Sequence, residues 1–248
     1  MANNGVGLTG SIVHAPEVKL YEYRNGTGMM PSAEWFVFHD DFCTKVASNV
    51  PTGWEAAIID TGATVTIDTA TAGLHTSSLM FDSDGAGEGA AIYLPKTFQL
   101  VPGKKFWMEA RVQHDTGVDC DFYIGLSDLT ATTNPEDLWT TTSANVVAFG
   151  IDVGTSLTGI LVDAGNSGTT RQAGTQFLSG GNTWQRIAIS YDGAKVRGYI
   201  NGKLSVVWGG AGGTIPTSVA LAPFIGYRNG SSAANEAWVD YIRVVAER

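Results

Sequence analysis

Seven consecutive residues, Asp82-Ser83-Asp84-Gly85-Ala86-Gly87-Glu88, form a dense set of potential ligands in this 248-residue chain. Three carboxylates set around glycines make an oxygen-rich, pliable turn of the kind that Ca²⁺ accepts. Asp82, Asp84 and Glu88 are therefore the candidate metal ligands, and calcium is the one candidate cofactor. The spacing is not that of an EF-hand, and a plain acidic turn between strands is the competing reading. His14, His39, His75 and His114 are scattered without metal-ligand spacing. The chain has no Gly-x-Ser-x-Gly elbow and no phosphate-binding glycine loop.

Acid–base chemistry on a glycosidic bond needs two carboxylates at a defined separation. Glu109 is followed on its own strand face by Arg111 and Gln113, and Asp119 and Asp121 precede Tyr123 without a third acid. No catalytic set results, so the chain is expected not to be an enzyme. Sugar binding would instead use exposed aromatics, for which Trp107, Trp139, Trp208 and Trp238 are the candidates by type. The competing role of each is packing within or at the edge of a core.

The elements that must position these residues are strands. With 31 glycines, 10% aromatics and only 16% charged residues, the composition suits many short strands joined by turns. Phe106, Met108, Ala110 and Val112 alternate with Trp107, Glu109, Arg111 and Gln113, and Phe122, Ile124 and Leu126 repeat the pattern. Further along, Ile187, Ile189, Val196, Ile200, Leu204 and Val206 are assigned to one face of a meander whose turns are Asp192-Gly193 and Asn201-Gly202. Other strands are predicted over 54–60, 63–68, 78–81, 89–94, 146–153 and 157–162. Asn134-Pro135 opens a single short helical turn reaching Trp139. Asn25-Gly26 and Asn229-Gly230 read as hairpin turns.

The run Trp184-Gln185-Arg186-Ile187-Ala188-Ile189-Ser190-Tyr191-Asp192-Gly193, followed by Tyr199-Ile200-Asn201-Gly202, resembles the central hairpins of laminin-G-like domains of the concanavalin A-like lectin/glucanase superfamily. The ending Val239-Asp240-Tyr241-Ile242-Arg243-Val244-Val245-Ala246-Glu247-Arg248 is similar to the ends of tailed-bacteriophage virion proteins with that fold. The resemblance implies an all-β, two-sheet antiparallel sandwich, a concanavalin A-like jelly roll, over residues 41–248. Glucanases of the superfamily carry a Glu-x-Asp-x-x-Glu type strand, which this sequence lacks.

Residues 1–40 read as an extended N-terminal arm. Leu20, Tyr21, Tyr23, Met29, Met30, Trp35 and Phe36 are its candidate partner-binding residues, since such side chains are enriched in interface cores. The first residues have neither a basic region nor an apolar run, so no secretion is expected, and Cys43 and Cys120 are read as reduced, although pairing stays open. A net charge of −9 argues against nucleic acid, and no apolar stretch reaches membrane-spanning length. The expectation is a structural protein of a phage virion, made in the bacterial cytoplasm. It would be a capsid decoration or cement protein that binds the major capsid protein or other virion subunits and forms a homo-oligomer. The alternative is a carbohydrate-binding, lectin-like module of a phage fibre.

Overall fold

The computed structural model of the chain describes residues 35–42, 50–51, 53–58, 62–68, 78–95, 98–115, 120–128, 145–152, 155–163, 170–177, 181, 183–208, 214–217, 219–230 and 234–248. Period-two alternation turns these into strands, with no helix among the described residues. They are β1 (Trp35–Asp40), β2 (Glu55–Ile58), β3 (Thr64–Asp68), β4 (Ser78–Ser83), β5 (Gly89–Tyr93), β6 (Phe106–His114), β7 (Cys120–Ser127), β8 (Val146–Asp152), β9 (Thr155–Asp163), β10 (Thr170–Phe177), β11 (Gln185–Tyr191), β12 (Val196–Ile200), β13 (Lys203–Val207), β14 (Ala222–Asn229) and β15 (Asn235–Glu247). The predicted turn from Asn134 and the hairpin at Asn25 lie outside the described residues.

Every ladder is antiparallel, and the strands make two sheets. The first runs β13-β12-β11-β6-β15-β4-β3, with β1 also on β15, and the second runs β10-β9-β8-β7-β14-β5-β2. At 13 residues β15 is long enough to take β4 along its first half and β1 along its second, with β6 on its other side. Trp35–Asp40, read in sequence as the end of the arm, is thus a strand of the sandwich.

The core lies between the sheets. Phe106, Met108, Ala110, Val112, Phe122, Ile124, Leu126, Ile187, Ile189, Val196 and Ile200, the in-phase apolar positions of the sequence, all point into it. Phe149 of β8 rests on Gly198 of β12, where a Cβ would overlap its ring, so the sheets interdigitate at that point. Leu204 does not join the core. Between β12 and β13 the register slips after Gly198↔Val206, leaving Ser205 as an extra residue and Leu204 opposite Tyr199 on the outer face. Leu204 is consequently 49% exposed.

Two turns behave as their residue types require. Asn201 and Gly202 both have positive φ, 49° and 78°, as a two-residue hairpin with the twist of its strands demands. Gly193 has φ 95°, and a Cβ there would overlap the backbone of Gly103.

Candidate functional site

The acidic turn divides its carboxylates between two places. Asp82 is still within β4, whereas Asp84 and Glu88 lie beyond the end of the strand. The Asp84 N–H donates to Glu88 Oε2 at 3.2 Å, and both carboxylates stand over Gly62, where a Cβ would collide with them. The hydrogen bond between the two acid groups raises the Glu88 carboxyl above its ordinary range. Asp82 instead occupies the outer face of the first sheet, directly across from Glu236 of β15. Asp84 and Glu88 are brought together, and Asp82 has different neighbours.

Those neighbours make the most polar corner of that face. Asp115, just past the end of β6, accepts the Glu236 N–H on Oδ2 at 3.1 Å and donates its own N–H to the Glu236 carbonyl at 3.2 Å. Asp115 Oδ1 is buried without a partner. Burial first, then the charges of Asp82, Asp115 and Asp68, push the Glu236 carboxyl up. Two residues further along β15, Trp238 falls on the same face with Met80 and Gln113 as its strand neighbours. Its side chain is buried, and its indole Nε1–H has no acceptor. The corner therefore offers several carboxylate acceptors, with the Trp238 indole packed beneath the surface beside them. Among the described residues no three acidic, histidine or cysteine side chains are grouped to hold a metal ion.

The acids first considered for catalysis are occupied. Glu109 is buried and accepts the Tyr241 hydroxyl at 2.7 Å. Asp121, fully buried on the outer face of the second sheet, is held by Arg228. Asp240, the extra residue of a bulge in β15, takes Arg111 at 2.8 Å, and that guanidinium lies 4.9 Å from the centre of the Trp184 ring. Asp119 lies outside the described residues.

The remaining candidates have separate places. His114 is buried with Nδ1 3.8 Å from the sulfur of Cys120, which is not in a disulfide. His39 stacks beside Tyr241, and burial with the nearby Arg243 charge lowers its pKa. Trp107 packs on Tyr199 at 5.3 Å on the outer face of the first sheet, while Trp208 closes the core at the end of β13. Phe36, expected to meet a partner, turns inward against Phe98 at 5.2 Å, and Trp35 packs outward with Val37 beside Trp107 and Val245. His14, His75, Cys43, Trp139, Leu20, Tyr21, Tyr23, Met29 and Met30 lie outside the described residues. Glu236 and Asp115 escaped the sequence reading because neither sits in a motif. The signal that could have found them is the Glu-x-Trp spacing at 236–238, which puts an acid and an indole on one strand face.

No family model and no curated protein matches this sequence. Solved structures do match in shape. An endo-β-1,4-glucuronan lyase from the fungus Trichoderma reesei superposes with a TM-score of 0.56 at 9% identity, over 85% of this chain and 95% of that one. The laminarinase catalytic domain from Thermotoga maritima gives 0.54 at 14% identity, over 86% and 98%. A protein of unknown function from Shewanella oneidensis gives 0.55 at 14% identity, over 86% and 87%. With this strand order and these likenesses, the chain has a concanavalin A-like jelly-roll fold.

Proposed function

We propose that this chain is a non-catalytic, carbohydrate-binding β-sandwich. One observation carries the reading: Asp82, Asp115 and Glu236 gather their carboxylates at one corner of the outer face of the first sheet. A sugar supplies hydroxyl hydrogens for these carboxylates. That laminarinase and glucuronan lyase, named for glycan substrates, use the same frame is consistent with it. The test is calorimetric titration with laminarin oligosaccharides, which carry no charge, with chain cleavage followed in parallel. The expected result is binding without cleavage, weakened by Glu236→Ala. Absence of laminarin binding, or cleavage that disappears in Asp82→Asn, would overturn the reading.

A second reading, a structural subunit of a tailed-phage particle seated on the major capsid protein, is favoured by the apolar strip around β1. The half-buried Trp35 and Val37 cover the buried Trp107, Tyr199 and Val245 on the outer face of the first sheet, and the exposed Leu204 lies opposite Tyr199. Such a strip suits a protein partner. Co-sedimentation with purified particles, abolished by Trp35→Ser with Leu204→Ser, is the outcome that this reading requires.

A further inference from the structure

A cleft of about 620 Å³ opens at the far end of the first sheet from the acidic corner. Between the two lies the length of β6, nine residues, or roughly 30 Å. Its walls are Pro102, the Gly193–Lys195 turn, Val207 and Trp208 at the end of β13, and the stretch from Thr214 to Thr217. The volume falls within the range of small-molecule sites.

The floor is fixed by hydrogen bonds. The Gly193 carbonyl accepts both the Tyr191 hydroxyl and the Gly103 N–H at 2.9 Å, and the Trp208 N–H is tied to the Val196 carbonyl at 2.8 Å. The acid beside the cleft is already neutralised. Asp192 accepts the N–H groups of Ala194 and Lys195 on Oδ1 and pairs with Arg197 through Oδ2 at 2.6 Å. Among the described residues, Lys195 is then the one charged side chain on the cleft wall. Trp208, 3% exposed, forms the inner wall of the cleft where it meets the core.

We propose that this cleft binds a monosaccharide unit carrying a carboxylate. The carboxylate meets the Lys195 ammonium, and the Thr214 and Thr217 hydroxyls meet the ring and hydroxyl oxygens. The apolar wall of Pro102, Val207 and Ile215 covers the sugar's C–H face. Such a site is independent of the acidic corner, whose charge would repel the same ligand.

The test is an NMR titration of the full chain with D-glucuronate, methyl β-D-glucoside and sodium acetate in turn. Glucuronate is expected to bind saturably, the glucoside more weakly, and acetate not at all. Lys195→Met should weaken glucuronate about tenfold, the effect of losing one charge-assisted contact of modest strength, and leave the glucoside unchanged. Thr217→Val should weaken both sugars and serves as the second probe. Glu236→Gln should not alter glucuronate binding, which separates this site from the acidic corner. Failure of glucuronate to bind, binding equal to that of the glucoside, or an unchanged affinity in Lys195→Met overturns the proposal.

Discussion

Arg228 holds Asp121 through both Nη2 and Nε, at 2.6 and 2.7 Å, across the β14–β7 ladder, and the aspartate has no exposure to solvent. The two are direct cross-strand partners, and on the other side of β14 a Cβ at Gly89 would overlap the Tyr227 carbonyl and the Arg228 backbone. Removing one partner of a buried pair strands the other charge, which costs about 3–5 kcal/mol. Arg228→Met should lower the unfolding free energy by that amount in urea titration. A change under about 1 kcal/mol would mean that solvent reaches Asp121.

Asp40 closes the seam where β1 leaves the first sheet. One carboxylate oxygen accepts the Phe42 N–H and the other the Trp54 indole, each at 2.8 Å. Phe42 is fully buried with φ 53°, a left-handed conformation that a bulky residue keeps only when its surroundings impose it. Asp40→Ala leaves two donors without acceptors, and the expected loss is about 2–4 kcal/mol. Asp40→Asn, which retains one oxygen acceptor, should lose less, and equal losses would refute the two-acceptor account.

Much of the sandwich was legible because its central strands keep a strict period of two. In β6, β7 and β11 every in-phase apolar side chain reaches the core. Legibility fails where a bulge resets the phase. Ser205 sends Leu204 outward while Val206 stays inside, and Asp240 lets Ala237 and Val239 face inward on odd numbers and Ile242 and Val244 on even ones. β10, with its glycine and polar residues, carries no apolar alternation and was not anticipated. The acidic corner was illegible for a different reason. Asp82, Asp115 and Glu236 come from three segments far apart in sequence, and only the β4-β15-β6 order makes them neighbours.

Two side chains of similar size, Met108 and Leu204, report the phase of their strands directly. Met108 is fully buried and Leu204 is half exposed. Met108→Ala should cost about 2–5 kcal/mol, as large-to-small core changes do. Leu204→Ala should stay within about 0.5 kcal/mol, as for surface substitutions. Comparable losses in denaturant titrations would place Leu204 back in the core.

Calcium is expected to matter little for stability. Asp84 and Glu88 share a hydrogen bond at the turn while Asp82 faces Glu236, so the three carboxylates do not converge. Replacing EDTA with millimolar Ca²⁺ should shift the melting temperature by less than about 2 °C, below the effect of 1 kcal/mol in a domain of this size. A larger shift that vanishes in Asp84→Asn would show that the turn rearranges around the ion.

Glu236 supplies the pH signature of the acidic corner. Burial and the neighbouring carboxylates raise its pKa above the ordinary value of 4.5. The folded chain therefore holds this proton more tightly than the unfolded chain does. Below the ordinary value both states are protonated and the group is neutral with respect to folding. As pH rises from there through the folded-state pKa, stability falls, and above it the full deficit remains. Glu236→Gln removes the deficit, so the variant should melt higher than the wild type at pH 7 and coincide with it near pH 4. A bound sugar that donates hydroxyl hydrogens to Glu236 favours the ionised form, so its affinity for the wild type should fall on acidification over the same interval. The glutamine variant should bind more weakly and lose that dependence. Parallel pH profiles for the two proteins would mean that the titrating group lies elsewhere, and that Glu236 is not part of the sugar contact.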